Sequence, residues 1–505
     1  MAVPDAHEPL ATEAPNAPPH GEGVALRLLR LGILVVFFLI LVTPTIVDPD
    51  LWGHVLYGRD IVSAKALEDK DPYSFTSDRP WINHEWLAEV TMYIAYDAGG
   101  PAGLIGLKAL TVALIVGCIL ISLRRHAGSV LTHDLLVLLA LVGMFPRYHP
   151  VRPQMFSLLL FSILLLLLQR AERGERQRLV VVPLVFAAWS NLHGGFLVGL
   201  AVLAVWAAVS MISTPSRWLS LTVLALSSVV ATLVTPYGPG LWLFLWETVG
   251  LSRTAINDWR PALMSPPIVL APWLAVLSTA GLAVWRGRRG GISAQSIAIV
   301  VMLGVASARV GRLDAFFALS VVMLLGSVLG STRVPDPRSK LGMAWPAWAV
   351  ATTIAIVSVG LYGFYRQSSC ISMRDYPEPA AVAFLEKRNG RLLTYFNWGQ
   401  YAIWHLAPSL KVSIDGRRET VYSEDLMTKH LRLYRGDAEG VQFVANLAPG
   451  LIWLPTTSPA IAPLEKEGWS VSFRGPVSVV LMQQPTESPV TVAGAPPTLR
   501  CFPSR

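Results

Sequence analysis

Apolar runs of about the length that crosses a bilayer, roughly 20 residues each, recur along most of this chain. They limit what it can fold into more than any other feature. Hydropathy and periodicity place about eleven of them, at 24–47, 102–123, 129–145, 154–169, 179–190, 196–212, 218–234, 267–285, 291–308, 313–330 and 342–364. The runs 179–190 and 196–212 also read as one broken hairpin. Of the 505 residues, 53% are hydrophobic and only 15% are charged, where a soluble domain carries about 25%. The expected fold class is mostly α, a polytopic membrane protein.

The net charge of +8 does not point to nucleic acid. Its arginines gather in short loops between alternate apolar runs: Arg27 and Arg30, Arg124 and Arg125, Arg170 to Arg178, Arg286 to Arg289, then Arg333, Arg338 and Lys340. Such loops face the cytoplasm. The N-terminus is then cytoplasmic, and everything after Phe364 lies outside the cell (inner, or plasma) membrane, which the chain crosses many times. Residues 1–22, rich in Pro and Ala, read as a disordered cytoplasmic tail. Residues 23–365 form the membrane domain, with a long first outer loop, 48–101. No small-residue cleavage pattern follows the first run, which reads as a retained anchor.

Residues 366–484 have another character. A helix is expected at 378–388 and an amphipathic one at 423–434 after a Ser cap. Strands are expected at 391–396, 411–414 and 451–454, with a hairpin at 469–482 around Arg474-Gly475-Pro476. This is a small outer α/β domain. The last residues, 485–505, read as a loose tail. Cys118 lies within a span, while Cys370 and Cys501 bracket the outer domain. An oxidising compartment permits a disulfide there, and two free thiols fit the sequence equally well.

The uncommon polar residues converge on one face. The first outer loop carries Asp48, Asp50, His54, Asp71, His84 and Glu85; the next, Arg147, His149, Arg152 and Gln154. Asn191 and His193 come at a Gly-Gly break. Tyr237, Asp258 and Arg260 follow, then Arg309, Arg312 and Asp314. Ionisable groups at membrane depth are expensive and usually mark a site. Arginines in short outer loops run against the charge bias, so they either pair with loop carboxylates or meet an anionic ligand. Asp48 and Asp50 flank a proline that favours extended backbone. Asp50 also suits the N-cap of a helix from Leu51. Trp81 and Trp86 suit an interfacial helix. His84-Glu85 suits a metal site, a sugar contact or a salt link.

Several stretches carry a resemblance: Asp48-Pro49-Asp50-Leu51-Trp52-Gly53-His54, Asp71-Pro72-Tyr73-Ser74-Phe75-Thr76, His84-Glu85-Trp86-Leu87, Arg152-Pro153-Gln154, Asn191-Leu192-His193-Gly194-Gly195, Trp398-Gly399-Gln400-Tyr401 and Asp415-Gly416-Arg417. Over residues 24–435 the chain resembles bacterial multispanning proteins related to the GT-C glycosyltransferase superfamily, which includes protein O-mannosyltransferases, aminoarabinose transferases and oligosaccharyltransferases. Gly53 stands where that group usually has a second tryptophan. The resemblance implies transfer of a sugar from a polyprenyl-phosphate-linked donor to an outer acceptor, a glycan, lipid or protein, with inversion. It implies catalytic roles for Asp48, Asp50, His54, His84 and Glu85, with Asp48 or Asp50 as base or metal ligand. Arg147, Arg152, Arg309 and Arg312 would bind the donor phosphate. Gln154, Asn191, His193, Tyr237 and Arg260 would bind substrate. A divalent cation, Mg or Mn, at Asp48 and Asp50 is optional.

Asp415-Gly416 reads first as a turn; alternatively the outer domain caps the cavity and binds acceptor. No phosphate-binding glycine loop, G-x-S-x-G, H-E-x-x-H or C-x-x-C motif occurs. Two other classes remain: a lipid-glycan transporter, which would more often show paired repeats and midplane charges, and an envelope scaffold, which gives no reason for the acidic-histidine loop.

Overall fold

The structure is a computed structural model, described for residues 24–124, 130–249, 259–288, 291–329, 360, 363, 370–484, 488–494 and 500–504. The expected tail 1–22, nearly all of the run 342–364, Asp258, and the loop residues Arg125, Arg289, Arg333, Arg338 and Lys340 lie outside the described residues.

Every other apolar run falls on a helix. In chain order the helices are α1 (Val24–Val42), α2 (Leu51–Ala64), α3 (Trp86–Leu123), α4 (Val130–Tyr148), α5 (Gln154–Glu172), α6 (Val182–Leu192), α7 (Phe196–Ser213), α8 (Trp218–Ala231), α9 (Gly240–Val249), α10 (Pro267–Gly287), α11 (Ala294–Arg309) and α12 (Gly311–Leu329). The expected eleven spans are not reproduced. Among the described residues, 5 helices are long and apolar enough to cross: α3, α5, α7, α10 and α12. The apolar runs of α6 and α8 are cut short by polar turns. α6, with 11 residues, rises only about 17 Å at 1.5 Å per residue before the turn at His193. Leu110, Leu184, Ile212, Leu226, Leu243 and Ile268 are exposed. An apolar outer surface of that kind suits lipid rather than water. The protein is a multi-pass membrane protein.

The long loop 48–101, expected to face outward, is largely structured. α2 and the first part of α3, residues 86–98, flank it, and α3 breaks at Gly99 and Gly100 before its membrane-crossing part. Lys108, fully buried in that part, donates to Thr45 Oγ1 at 2.5 Å, His149 O at 3.1 Å and Pro44 O at 3.3 Å. It thereby ties the exit of α1 to the α4–α5 turn, the two segments that carry Asp48 and Arg152.

The C-terminal domain is α/β. Its strands are β1 (Ser372–Met373), β2 (Gly390–Thr394), β3 (Leu410–Val412), β4 (Leu451–Pro455), β5 (Ser470–Arg474), β6 (Ser478–Met482), β7 (Val490–Thr491) and β8 (Arg500–Cys501). The main sheet has the order β3-β2-β4-β6-β5-β7. Its first three strands are parallel, while β6 runs antiparallel to both β4 and β5. α13 (Pro379–Leu385), α14 (Gly399–Leu406), α15 (Glu424–Tyr434), α16 (Ala438–Leu447) and α17 (Ile461–Lys466) complete it. Ser423 caps α15 by accepting from Leu426 N–H, as its sequence suggests. Within the segment expected to be loose, residues 490–491 form β7, which extends the main sheet, and residues 500–501 form β8, which pairs with β1. Cys370 and Cys501 are joined in a disulfide, with Cα atoms 5.0 Å apart.

Domain and outer loop share one hydrophobic core. Trp52, Leu56, Met92 and Ile105 pack in the same cluster as Trp398, Tyr401, Val421 and Trp453. Trp52 is fully buried, with its ring 4.6 Å from Tyr376, 5.2 Å from Tyr401 and 5.4 Å from Phe502. Main-chain bonds stitch both ends of the loop to the domain. Val47 N–H donates to Ser372 O and Ser372 N–H to Thr45 O; Phe75 N–H donates to Val412 O and Val412 N–H to Tyr73 O.

Candidate active site

The stretch Asp48-Pro49-Asp50 turns α1 into α2. The Asp48 carboxylate folds back to accept the Asp50 N–H at 3.0 Å, an Asx-type turn. Its other oxygen is held by the Arg152 guanidinium. Asp50 occupies the N-cap position of α2, yet its side chain makes no capping hydrogen bond. Its backbone is helical rather than extended (φ −91°, ψ −5°). Burial, together with the nearby charge of Asp48, pushes the Asp50 carboxyl up to about 6, against the opposing pull of His54 and Arg152.

The C-terminal domain closes over this carboxylate. A Cβ built on Gly416 would stand 1.6 Å from Asp50 Oδ1 and 3.0 Å from Gln400 Nε2. Gln400, fully buried, accepts the Gly53 N–H at 2.9 Å, and a Cβ on Gly53 would stand 2.0 Å from that oxygen. The absence of a large side chain at position 53 is what admits Gln400. Sequence reading placed neither Gln400 nor Gly416 at the site. Asp415-Gly416 is more than a turn.

Arg417 fastens the closure. Its guanidinium meets Asp415 at 2.9 and 2.7 Å and Asp71 of the outer loop at 2.7 Å. It lies 4.8 Å from the Trp81 ring centroid and 5.3 Å from those of Tyr57 and Tyr73. Tyr422 donates to Asp415 at 2.6 Å. Burial opposes the Asp415 charge, but Arg417 outweighs it and holds that carboxyl below its usual range.

From Asp50 a line of polar groups runs along α2. His54 Nδ1 lies 3.2 Å from Glu89 Oε1, and Glu89 Oε2 accepts from Asn83 at 2.6 Å. Burial disfavours the imidazolium, but the Glu89 hydrogen bond and the charges of Glu85, Glu89 and Asp50 raise His54 to about 9. Glu89, three residues after Trp86, was not anticipated; its signal was its position four residues after Glu85. Glu85 lies 3.8 Å from His84 Nε2 and 3.6 Å from His193 Nε2. Burial works against its charge, but His84, His54 and Arg312 hold it below the usual range. His193 Nδ1 accepts the Gly195 N–H at 2.9 Å, which places any neutral-ring proton on Nε2. Burial lowers His193 to about 3. Arg312 lies 3.4 Å from His193 Nε2 and 5.7 Å from the Trp259 ring.

Arg147, Asn191 and Tyr237, also expected as ligands, are engaged by the protein itself. Arg147 is buried in a two-point pair with Asp314, at 2.9 and 3.0 Å, and donates to Gly311 O. It is a strut between α4 and α12 rather than a group presented to a phosphate. Asn191 accepts from Trp86 Nε1 and donates to Ala187 O and Val234 O, so it holds a helix junction. The Tyr237 hydroxyl accepts the Asn83 N–H. Arg309 and Arg260 are exposed. Gln154 is buried at the start of α5, its Oε1 without a partner. Among the described residues no group of three or more His, Cys, Asp and Glu is placed to hold a metal ion. With Asp48 engaged by Arg152 and by a backbone N–H, the pair Asp48 and Asp50 does not fit a divalent cation.

No family model matches the sequence, and no curated protein sequence matches it. Solved structures do. ArnT from Cupriavidus metallidurans bound to undecaprenyl phosphate superposes with a TM-score of 0.55 at 14% identity, over 91% of this chain and 98% of that one. The Archaeoglobus fulgidus oligosaccharyltransferase superposes with a TM-score of 0.54 at 11% identity, over 93% of this chain and 75% of that one. The fold is GT-C. At this identity the likeness concerns the GT-C fold itself.

Proposed function

We propose that this chain is a membrane glycosyltransferase that takes a sugar from a polyprenyl-phosphate-linked donor, with Asp50 as general base. One observation carries the reading: a carboxylate with a raised pKa, spared from capping, enclosed where the α1–α2 turn meets the C-terminal domain. A base titrating near 6 is ionised at neutral pH and still basic enough to take a proton. The neighbour ArnT binds undecaprenyl phosphate, which supports a lipid-phosphate donor here.

In the reaction the acceptor hydroxyl gives its proton to Asp50 while its oxygen attacks the anomeric carbon. The bond from that carbon to the phosphate oxygen breaks, and the electron pair leaves with the lipid phosphate. One displacement inverts the anomeric centre. Arg152 and Arg312, beside the carboxylates, and the exposed Arg309 supply positive charge where the phosphate gains negative charge. Asp48 orients Arg152, and no step is routed through a metal. The disulfide and the covering domain suit an acceptor on the oxidising side of the cell membrane.

Asp50→Asn keeps shape and removes the base. Transfer from a polyprenyl-linked sugar in proteoliposomes should fall by about 10²–10⁴-fold. The wild-type rate should fall as pH drops through about 6. Near-normal transfer by Asp50→Asn would sink the assignment.

A further inference from the structure

Beside the polar line lies a cavity of ≈ 290 Å³ that the transfer chemistry above does not use. Tyr57, Tyr73 and Trp81, the rings that surround Arg417, also line it, together with Asp60, Glu68 and Asn83. The rings stand nearly at right angles, with Trp81 at 77° to Tyr57 and 78° to Tyr73, and so form a corner rather than a flat wall. The Tyr57 hydroxyl is buried and has no hydrogen-bond partner. An orphaned buried polar atom is costly, and this one belongs to a residue of the cavity wall.

The lining selects the ligand. Its charged groups are carboxylates, Asp60 and Glu68, with Asp60 also paired to Arg59 at 3.0 Å, so the lining offers an anionic phosphate no cation. Aromatic faces are electron-rich and meet the slightly positive C–H groups of a sugar ring. Carboxylate and amide oxygens accept from its hydroxyls. The volume is at the small end for ligand sites, roughly 300–1,000 Å³, and suits one ring. Tyr57 lies two turns along α2 from Asp50, about 10 Å, one sugar unit or so from the proposed base. We propose that this cavity is a monosaccharide subsite that holds a neutral ring of a glycan acceptor next to the unit being glycosylated. The acceptor role rests on the transferase reading; the binding of a sugar ring does not.

The test uses the full chain in nanodiscs and methyl glycosides of common hexoses, pentoses and N-acetylhexosamines, one at a time, read by saturation-transfer NMR. At least one should bind saturably below about 10 mM, a range fitting single-ring contacts. Leu67→Trp, at the cavity rim, fills the space; Asp60→Ala removes an acceptor. Each should weaken binding by at least about tenfold, while Asp50→Asn binds as wild type. Thermal melts exclude misfolding, and either variant alone suffices if the other unfolds. No saturable glycoside, or equal binding by a folded variant, would overturn the subsite. Binding without any transfer would instead reject the transferase reading and leave the subsite standing.

Discussion

Asp50 is a carboxylate that the fold keeps at a thermodynamic disadvantage. Its folded pKa of about 6 exceeds the ordinary aspartate value of about 3.9, so the native state binds the proton more tightly than the unfolded state. Stability therefore falls as pH rises from about 4 to about 6. Asp50→Asn should melt at higher temperature than wild type at pH 7.5, and the difference should vanish near pH 4. Loss of activity with gain of stability is what a strained functional group predicts. Gly416 offers a sharper test. A methyl group there would overlap Asp50 Oδ1, the end of a side chain that can rotate away. Gly416→Ala should cut transfer at least about tenfold with little change in melting temperature. Full activity would mean that Asp50 is not positioned by this contact.

At the scale of elements, the C-terminal domain shares a core with the membrane domain's loop 48–101 rather than hanging from it as an appendage. The Asp71–Arg417–Asp415 cluster joins the outer loop to the β3–α15 connection, with all three side chains nearly inaccessible. Removing the cation would leave two buried carboxylates without a counter-charge. Arg417→Ala should destabilise the fold by about 3–5 kcal/mol, seen as a lower unfolding midpoint by intrinsic fluorescence, and Arg417→Lys should restore little because it lacks the planar fork. An unchanged midpoint would disprove the latch. The elements themselves were largely legible: β2, β4, β6 and α15 lie within a residue or two of their expected places. α14 and α16 were not legible. α14 follows Trp398-Gly399, where the glycine reads as a break, and its helix is held by burial of Tyr401 and Ile403.

Across the whole molecule, the Cys370–Cys501 bridge links residues 131 apart in sequence. It holds β8, and with it Phe502 and Arg500, against Trp52 and Tyr401. Reduction should cost about 2–5 kcal/mol by freeing a long loop in the unfolded chain, measured as a lower melting temperature with dithiothreitol. In the topology proposed here, Lys429→Cys should label from outside and Arg288→Cys only after permeabilisation. Labelling of both from one side would reverse the arrangement.

The sequence by itself determined the membrane class, because hydropathy is additive along a chain and needs no partners. It also determined which short stretches carry charge at depth, since ionisable groups stand out against an apolar background. Their division of labour came from tertiary structure alone. Arg147 and Arg152 lie five residues apart and look equivalent in sequence, yet one is buried against Asp314 and the other stands beside Asp48. Asp50 could have capped its helix; only the approach of Gln400 and Gly416, some 350 residues along the chain, encloses it as a candidate base. Partnership between ionisable groups depends on distances that close when helices and sheet pack, and no local pattern encodes those distances.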